Sequence, residues 1–196
     1  MTRVRTLLPL RAEDRSAKRL FAILAGVCAA IATPAAAQAQ SVTTVPSSAE
    51  VISEVTLSKT RDMDFGRVIV PRSGRIDMTA EETPTCTPNN GLTPLDACES
   101  ASFEGRAGNG FQIRISVPSG RRINLTGPGD DLRLRRMTVG AGDGLTFERR
   151  VNRHFEFIVN DPAGEFEFHV GARLLFRNNQ ASGLYSGTFD ITADYQ

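Results

Sequence analysis

The chain has 196 residues, with 23 Lys and Arg against 22 Asp and Glu, so one domain with a real core fits and no basic excess exists to hold nucleic acid. It has no Trp, two Tyr and two His, a poor supply of sugar-stacking rings and of imidazoles for a metal or an acid–base pair. Six of the 23 basic residues cluster in the first 19 positions.

Arg3, Arg5, Arg11, Arg15, Lys18 and Arg19 precede an apolar run from Leu20 to Ile31, and Ala35-Ala36-Ala37-Gln38-Ala39 follows. A basic region, a short apolar core and an Ala-x-Ala exit describe a secretory signal peptide over residues 1–39, cleaved near Ala37 or Ala39. The run is too short for the ~20 residues of a membrane-crossing helix, and Val27 before Cys28 does not suit lipid attachment. Six basic and two acidic residues leave with the leader, so 17 basic and 20 acidic remain, a net charge of −3. The expected locations are the periplasm, the cell surface or the medium, with no stable membrane insertion and no nucleic-acid partner.

Residues 40–54 are small, polar and interrupted by Pro46, which predicts a flexible arm. From Val55 to Gln196 the pattern is β. Strands are expected at Val55–Ser58, Phe65–Val70, Gly74–Met78 and Ala101–Glu104, then at Phe111–Val117, where apolar and polar residues alternate strictly. More are expected at Arg122–Leu125, Leu132–Val139, Leu145–Phe147, Arg173–Phe176 and Thr188–Tyr195. Phe155, Phe157 and Val159, then Asn160-Asp161-Pro162-Ala163-Gly164, then Phe166, Phe168 and Val170 give the pattern of a hairpin. Gly105–Gly110 also suits a hairpin turn. Short strands punctuated this regularly predict an all-β fold, an antiparallel sandwich.

Once the leader is gone, Cys86 and Cys98 are the two cysteines left, and in an oxidising compartment an even pair predicts one disulfide. No Gly-x-Ser-x-Gly, His-Glu-x-x-His or Walker-type loop occurs, so no enzyme and no cofactor is expected. His154 and His169 are out of phase with the phenylalanines and are expected to face outward, with His169 beside Glu156 across the hairpin. Gly127–Asp131 and Gly140–Gly144 have the glycine–aspartate make-up of calcium turns, but calcium wants six or more oxygens and two isolated turns leave that number open. Arg133, Arg135, Arg136, Arg149, Arg150 and Arg153 are read as a solvated strand face rather than a ligand patch.

Leu57-Ser58-Lys59-Thr60-Arg61-Asp62-Met63-Asp64-Phe65-Gly66-Arg67-Val68 resembles the opening strand of an exported proteobacterial family, domain of unknown function 4402. The finish resembles it too: Val170-Gly171-Ala172-Arg173-Leu174, then Gly183-Leu184-Tyr185-Ser186-Gly187-Thr188-Phe189, closing on Asp194-Tyr195-Gln196. The resemblance implies an Ig-like, pilin-like sandwich and a secreted or cell-surface structural or adhesive subunit that works by protein–protein contact. Like subunits and a periplasmic chaperone are the implied partners, and edge-strand addition the implied mode. The final strand, with Phe189, Ile191 and Tyr195, and an arm carrying Val42, Val45, Val51 and Val55 are then the candidate contact residues. The alternative is a self-contained secreted module binding a carbohydrate or another envelope component.

Overall fold

The computed structural model describes Ala49, residues 51–119 and residues 123–196; the expected leader and two of the arm residues, Val42 and Val45, lie outside them. Over the described residues the chain forms strands and no helix. In chain order these are β1 (Thr56–Arg61), β2 (Val68–Ile69), β3 (Gly74–Met78), β4 (Cys86–Pro88), β5 (Thr93–Pro94), β6 (Ala101–Arg106) and β7 (Gln112–Ser116). There follow β8 (Asn124–Leu125), β9 (Leu132–Ala141), β10 (Leu145–Val151), β11 (His154–Val159), β12 (Glu165–Phe176) and β13 (Thr192–Tyr195).

The long strand β12 organises the first sheet. One of its edges pairs with β9; the other pairs with β6 over Glu165–Val170 and with β3 over Arg173–Phe176. β1 extends this sheet beyond β6, β4 beyond β3 and β8 beyond β9. The second sheet runs β10-β11-β7-β13, every pair antiparallel. A small third pair joins β2 to β5.

Alternation explains why two sheets form and face each other. Phe166, Phe168, Val170, Ala172, Leu174 and Phe176 of β12 are all buried on one face, and Phe155, Phe157 and Val159 of β11 are buried on the other side of the same core. Ile113 and Ile115 of β7 and Leu132 and Leu134 of β9 complete it. This is an all-β antiparallel sandwich, as the periodicity predicts.

Two connections differ from expectation. Asn160–Gly164 does not turn a hairpin, because β11 and β12 lie in different sheets. Gly105–Gly110 likewise carries the chain from β6 in the first sheet to β7 in the second. Alternation fixes which side chains meet the core but not which strand lies alongside, so a hairpin and an arch between sheets read the same. The two arches lie side by side and share hydrogen bonds: the Ala107 amide donates to Gly164 O at 2.9 Å, and the Gly110 amide to Val159 O at 2.7 Å.

A third correction concerns the histidines. His169 and Glu156 are in separate sheets and do not meet. His169 has the outward phase expected of it but is 3 % exposed, because the segment following β3 lies over that face. Two glycines let the segment approach: a Cβ on Gly140 would sit 1.9 Å from the carbonyl oxygen of Ala80, and one on Gly171 would sit 2.5 Å from that of Met78. Under it, His169 Nδ1 and Ser102 Oγ share a hydrogen bond of 2.9 Å, and Arg61 donates to the same Oγ. The Ser100 hydroxyl donates to Glu81 O at 2.6 Å. His154 is partly buried and shares a 2.7 Å hydrogen bond with Ser116 Oγ on β7. Cys86 and Cys98 form the expected disulfide and pin the far end of the covering segment.

Candidate functional site

The edges of the sandwich carry its most unusual chemistry. β1 bonds only to β6 and β13 only to β7 among the described residues, and the two strands touch along one margin. The inward residues of β13 and its lead-in, Phe189, Ile191, Ala193 and Tyr195, pack on the core yet stay only partly buried. An apolar row half-covered at a sheet edge is the opposite of the charged or proline-blunted edges that resist pairing.

Thr188–Tyr195 was expected to be one strand, but the ladder starts at Thr192, opposite Ser116. The reason lies in the partner: β7 ends at Ser116, and Val117-Pro118 follows with no amide hydrogen on the proline. Tyr195 closes the opposite end of the margin. Its hydroxyl accepts from the Gly108 amide at 2.7 Å and donates to Ser53 O at 2.8 Å.

The segment that follows β1, residues 63–70, and the loop of residues 180–185 border a groove of about 580 Å³. Its apolar lining includes Met63, Val68 and Val70, Leu174 and Phe176 of β12, and Leu184 and Tyr185. Leu184 is 86 % exposed at this rim. Sequence reading singled out the last strand and missed the groove, since Met63 and Leu184 belong to irregular segments with no period to read.

Parts of both motifs that carry the resemblance line this groove, residues 63–68 of the first and Leu174 with Gly183, Leu184 and Tyr185 of the second, and each is held by its own bonds. In the first, the Gly66 amide donates to Asp64 Oδ1 at 2.8 Å, and Gly66 has φ of +67°, open to glycine at no steric cost. Phe65 is buried as an anchor, and the backbones of Asp64 and Glu99 exchange two hydrogen bonds. Arg67 grips Asp96 with both Nε and Nη2, each at 2.8 Å. In the second, Ser186 pairs with Thr126 through two backbone bonds, and the Tyr185 hydroxyl donates to Ala181 O.

The Arg67 grip holds the Asp96 carboxyl down at about 2. A depressed carboxyl adds stability above its ordinary range and loses it as pH falls through the folded value. The Arg67→Gln variant is therefore expected to melt lower than the parent at neutral pH, with the gap closing towards pH 2; thermal melts across that range decide, and a gap independent of pH would contradict the assignment.

On the outer face of the second sheet, the register aligns Arg149, Glu156, Arg114 and Asp194 across four strands, alternating in sign. Glu156 is 1 % exposed and ion-paired to Arg149 and Arg114. The hydrogen bond from Arg149 holds its carboxyl below the usual range, against burial, with help from the Gln196 side chain. Glu156→Gln is expected to lower the melting temperature at neutral pH and to flatten its decline in acid, read by melts from neutral pH down.

The candidate residues fall out as follows. Phe189, Ile191 and Tyr195 come together on the margin. Val55 packs against the chain's own core, whereas Val51 is 94 % exposed. Leu57 is inside β1 and paired to Gly105, so any arm offered to a neighbour starts before Val55. Among the described residues, no cluster of three or more His, Cys, Asp or Glu is placed to hold a metal, and no helix is long and apolar enough to cross a membrane.

No curated protein and no solved structure matches the chain. A family model, described as Domain of unknown function (DUF4402), matches residues 55–195. That span takes in the whole sandwich, from the residue before β1 to the end of β13, and the chain belongs to this family.

Proposed function

We propose that the protein is an exported, pilin-like structural or adhesive subunit, joined to its neighbours when the arm of one copy adds along the β1–β13 margin of the next. The carrying observation is the half-covered apolar row of Phe189, Ile191, Ala193 and Tyr195 along β13 and its lead-in, where β13 is paired on one side only among the described residues. Such an edge offers backbone groups for a new ladder and sockets for alternate side chains. The arm before Val55 carries Val42, Val45 and Val51 in its sequence, and Val51 is almost fully exposed in its own copy. The disulfide and the leader pattern support an oxidising destination outside the cytoplasm. A proteobacterial source and a chaperone that shields the margin before assembly belong to the same reading.

Light scattering on the exported protein, beside a form lacking residues 41–52, tests this. The intact protein is expected to form dimers or longer chains and the shortened one to stay monomeric. Monomers of both, with identical melting temperatures, would end the proposal.

A further inference from the structure

A second surface, at the end of the second sheet beyond Ser116 of β7, has a different chemistry. Arg136, Arg150 and Arg153 line one cleft of about 450 Å³, with His154, Asn152 and Ser119 beside them. Among the described residues, no acidic side chain lines it and none of the three arginines is ion-paired. Among the described residues, arginines elsewhere in the domain divide between ion-paired ones, such as Arg67 with Asp96, Arg106 with Glu165 and Arg177 with Asp130, and scattered unpaired ones, such as Arg72 and Arg133. What sets this cleft apart is that three unpaired arginines converge on it with no carboxylate among its described lining residues.

The backbone departs from the ordinary at the same place. In the β9–β12 ladder Arg135 faces Arg173 and Thr138 faces Gly171, so Arg136 and Met137 both stand against Ala172. This bulge buries Met137 and turns Arg136 outward at φ of +47°, a conformation that disfavours any residue with a Cβ. Arg150 is held from below and from the side: its guanidinium lies 4.7 Å from the centre of the Phe155 ring, and its Nε donates to Asn152 O at 2.8 Å. Its terminal nitrogens point to no protein acceptor among the described residues. His154 commits Nδ1 to Ser116, so Nε2 is its uncommitted nitrogen.

We infer that this cleft binds a phosphate or sulfate ester carried on a sugar-sized group. Planar guanidinium forks match the paired oxygens of such esters. The volume is in the range of small-molecule sites and exceeds what a bare inorganic anion fills. Ser119 and Asn152 offer neutral donors and acceptors for the carrier's hydroxyls. Arg136 keeps a strained backbone that glycine would relax, as expected of a residue held for binding rather than for folding.

The test is calorimetry on the whole protein with glucose 6-phosphate, a sulfated disaccharide, plain glucose and anionic phosphatidylglycerol vesicles. At least one ester is expected to bind, with affinity weakening as salt rises to about 0.15 M, and glucose is expected not to bind. The triple variant Arg136→Gln, Arg150→Gln, Arg153→Gln is expected to lose at least about tenfold in affinity. A control that removes the same charge elsewhere, Arg72→Gln, Arg106→Gln, Arg177→Gln, is expected to keep it. Arg136→Gly guards against a folding artefact, because it should melt no lower than the parent while binding more weakly. Equal binding by triple variant and control, no binding of either ester, or binding to the vesicles alone would each overturn the inference.

Discussion

Replacing Phe168 with alanine is expected to cost about 3–5 kcal/mol, the most of any single truncation in the domain. The ring is 0 % exposed at the centre of β12, which is paired on both sides at that residue, to Phe103 in β6 and to Ala141 in β9. It lies over Phe103 at 5.1 Å between centroids, nearly parallel, with Phe166 at 6.4 Å. A cavity there opens onto both sheets, and neither can close over it without breaking a ladder. For a domain of this size the melting temperature should fall by about 10 °C or more. Phe147 is the internal comparison. Its ring meets Phe157 edge-on at 5.6 Å but is half exposed, so Phe147→Ala should cost about 1 kcal/mol. Urea unfolding of the two variants measures the difference, and similar midpoints would mean that the core is not centred on β12.

Removing the disulfide, by Cys86→Ser with Cys98→Ser, is expected to cost about 3 kcal/mol, the chain-entropy value for a loop of this length. The bridge spans 12 positions and anchors the segment that covers His169, Gly140 and Gly171. Unfolding with and without a reductant should reproduce the loss in the parent and show none in the double variant. Gly140→Ala probes the same segment from beneath, since its Cβ would collide with Ala80 O. The two changes act on one piece of chain, so their costs should sum to less than the parts. Full additivity would show that the bridge and the segment are independent.

How far the sequence speaks depends on what kind of information each element holds. The strict alternation of Gln112-Ile113-Arg114-Ile115-Ser116 settles both the strand and its buried face, and β7 lies as expected. Neighbour choice is another matter. Phe155 to Val170 has the pattern of a hairpin, yet its halves face each other across the core, because period two is blind to which sheet a strand joins. His169 shows a second limit. Its phase was legible, but its cover comes from residues about 90 positions earlier, admitted by two glycines whose spacing forms no motif. The arginine cleft shows a third, since Arg136 reaches it through a bulge that no local pattern announces. The disulfide was legible from cysteine parity, and the core-facing side of Phe189, Ile191 and Tyr195 from alternation, because neither depends on which strands pair.

Strand addition at the margin makes one direct demand on the backbone. Hydrogen–deuterium exchange of the amides from Phe189 to Tyr195 should be measured before and after adding a synthetic peptide covering residues 41–54 to the form lacking residues 41–52. The account predicts marked slowing across that segment, and none at the opposite edge strand β10. Unchanged exchange at saturating peptide would contradict it.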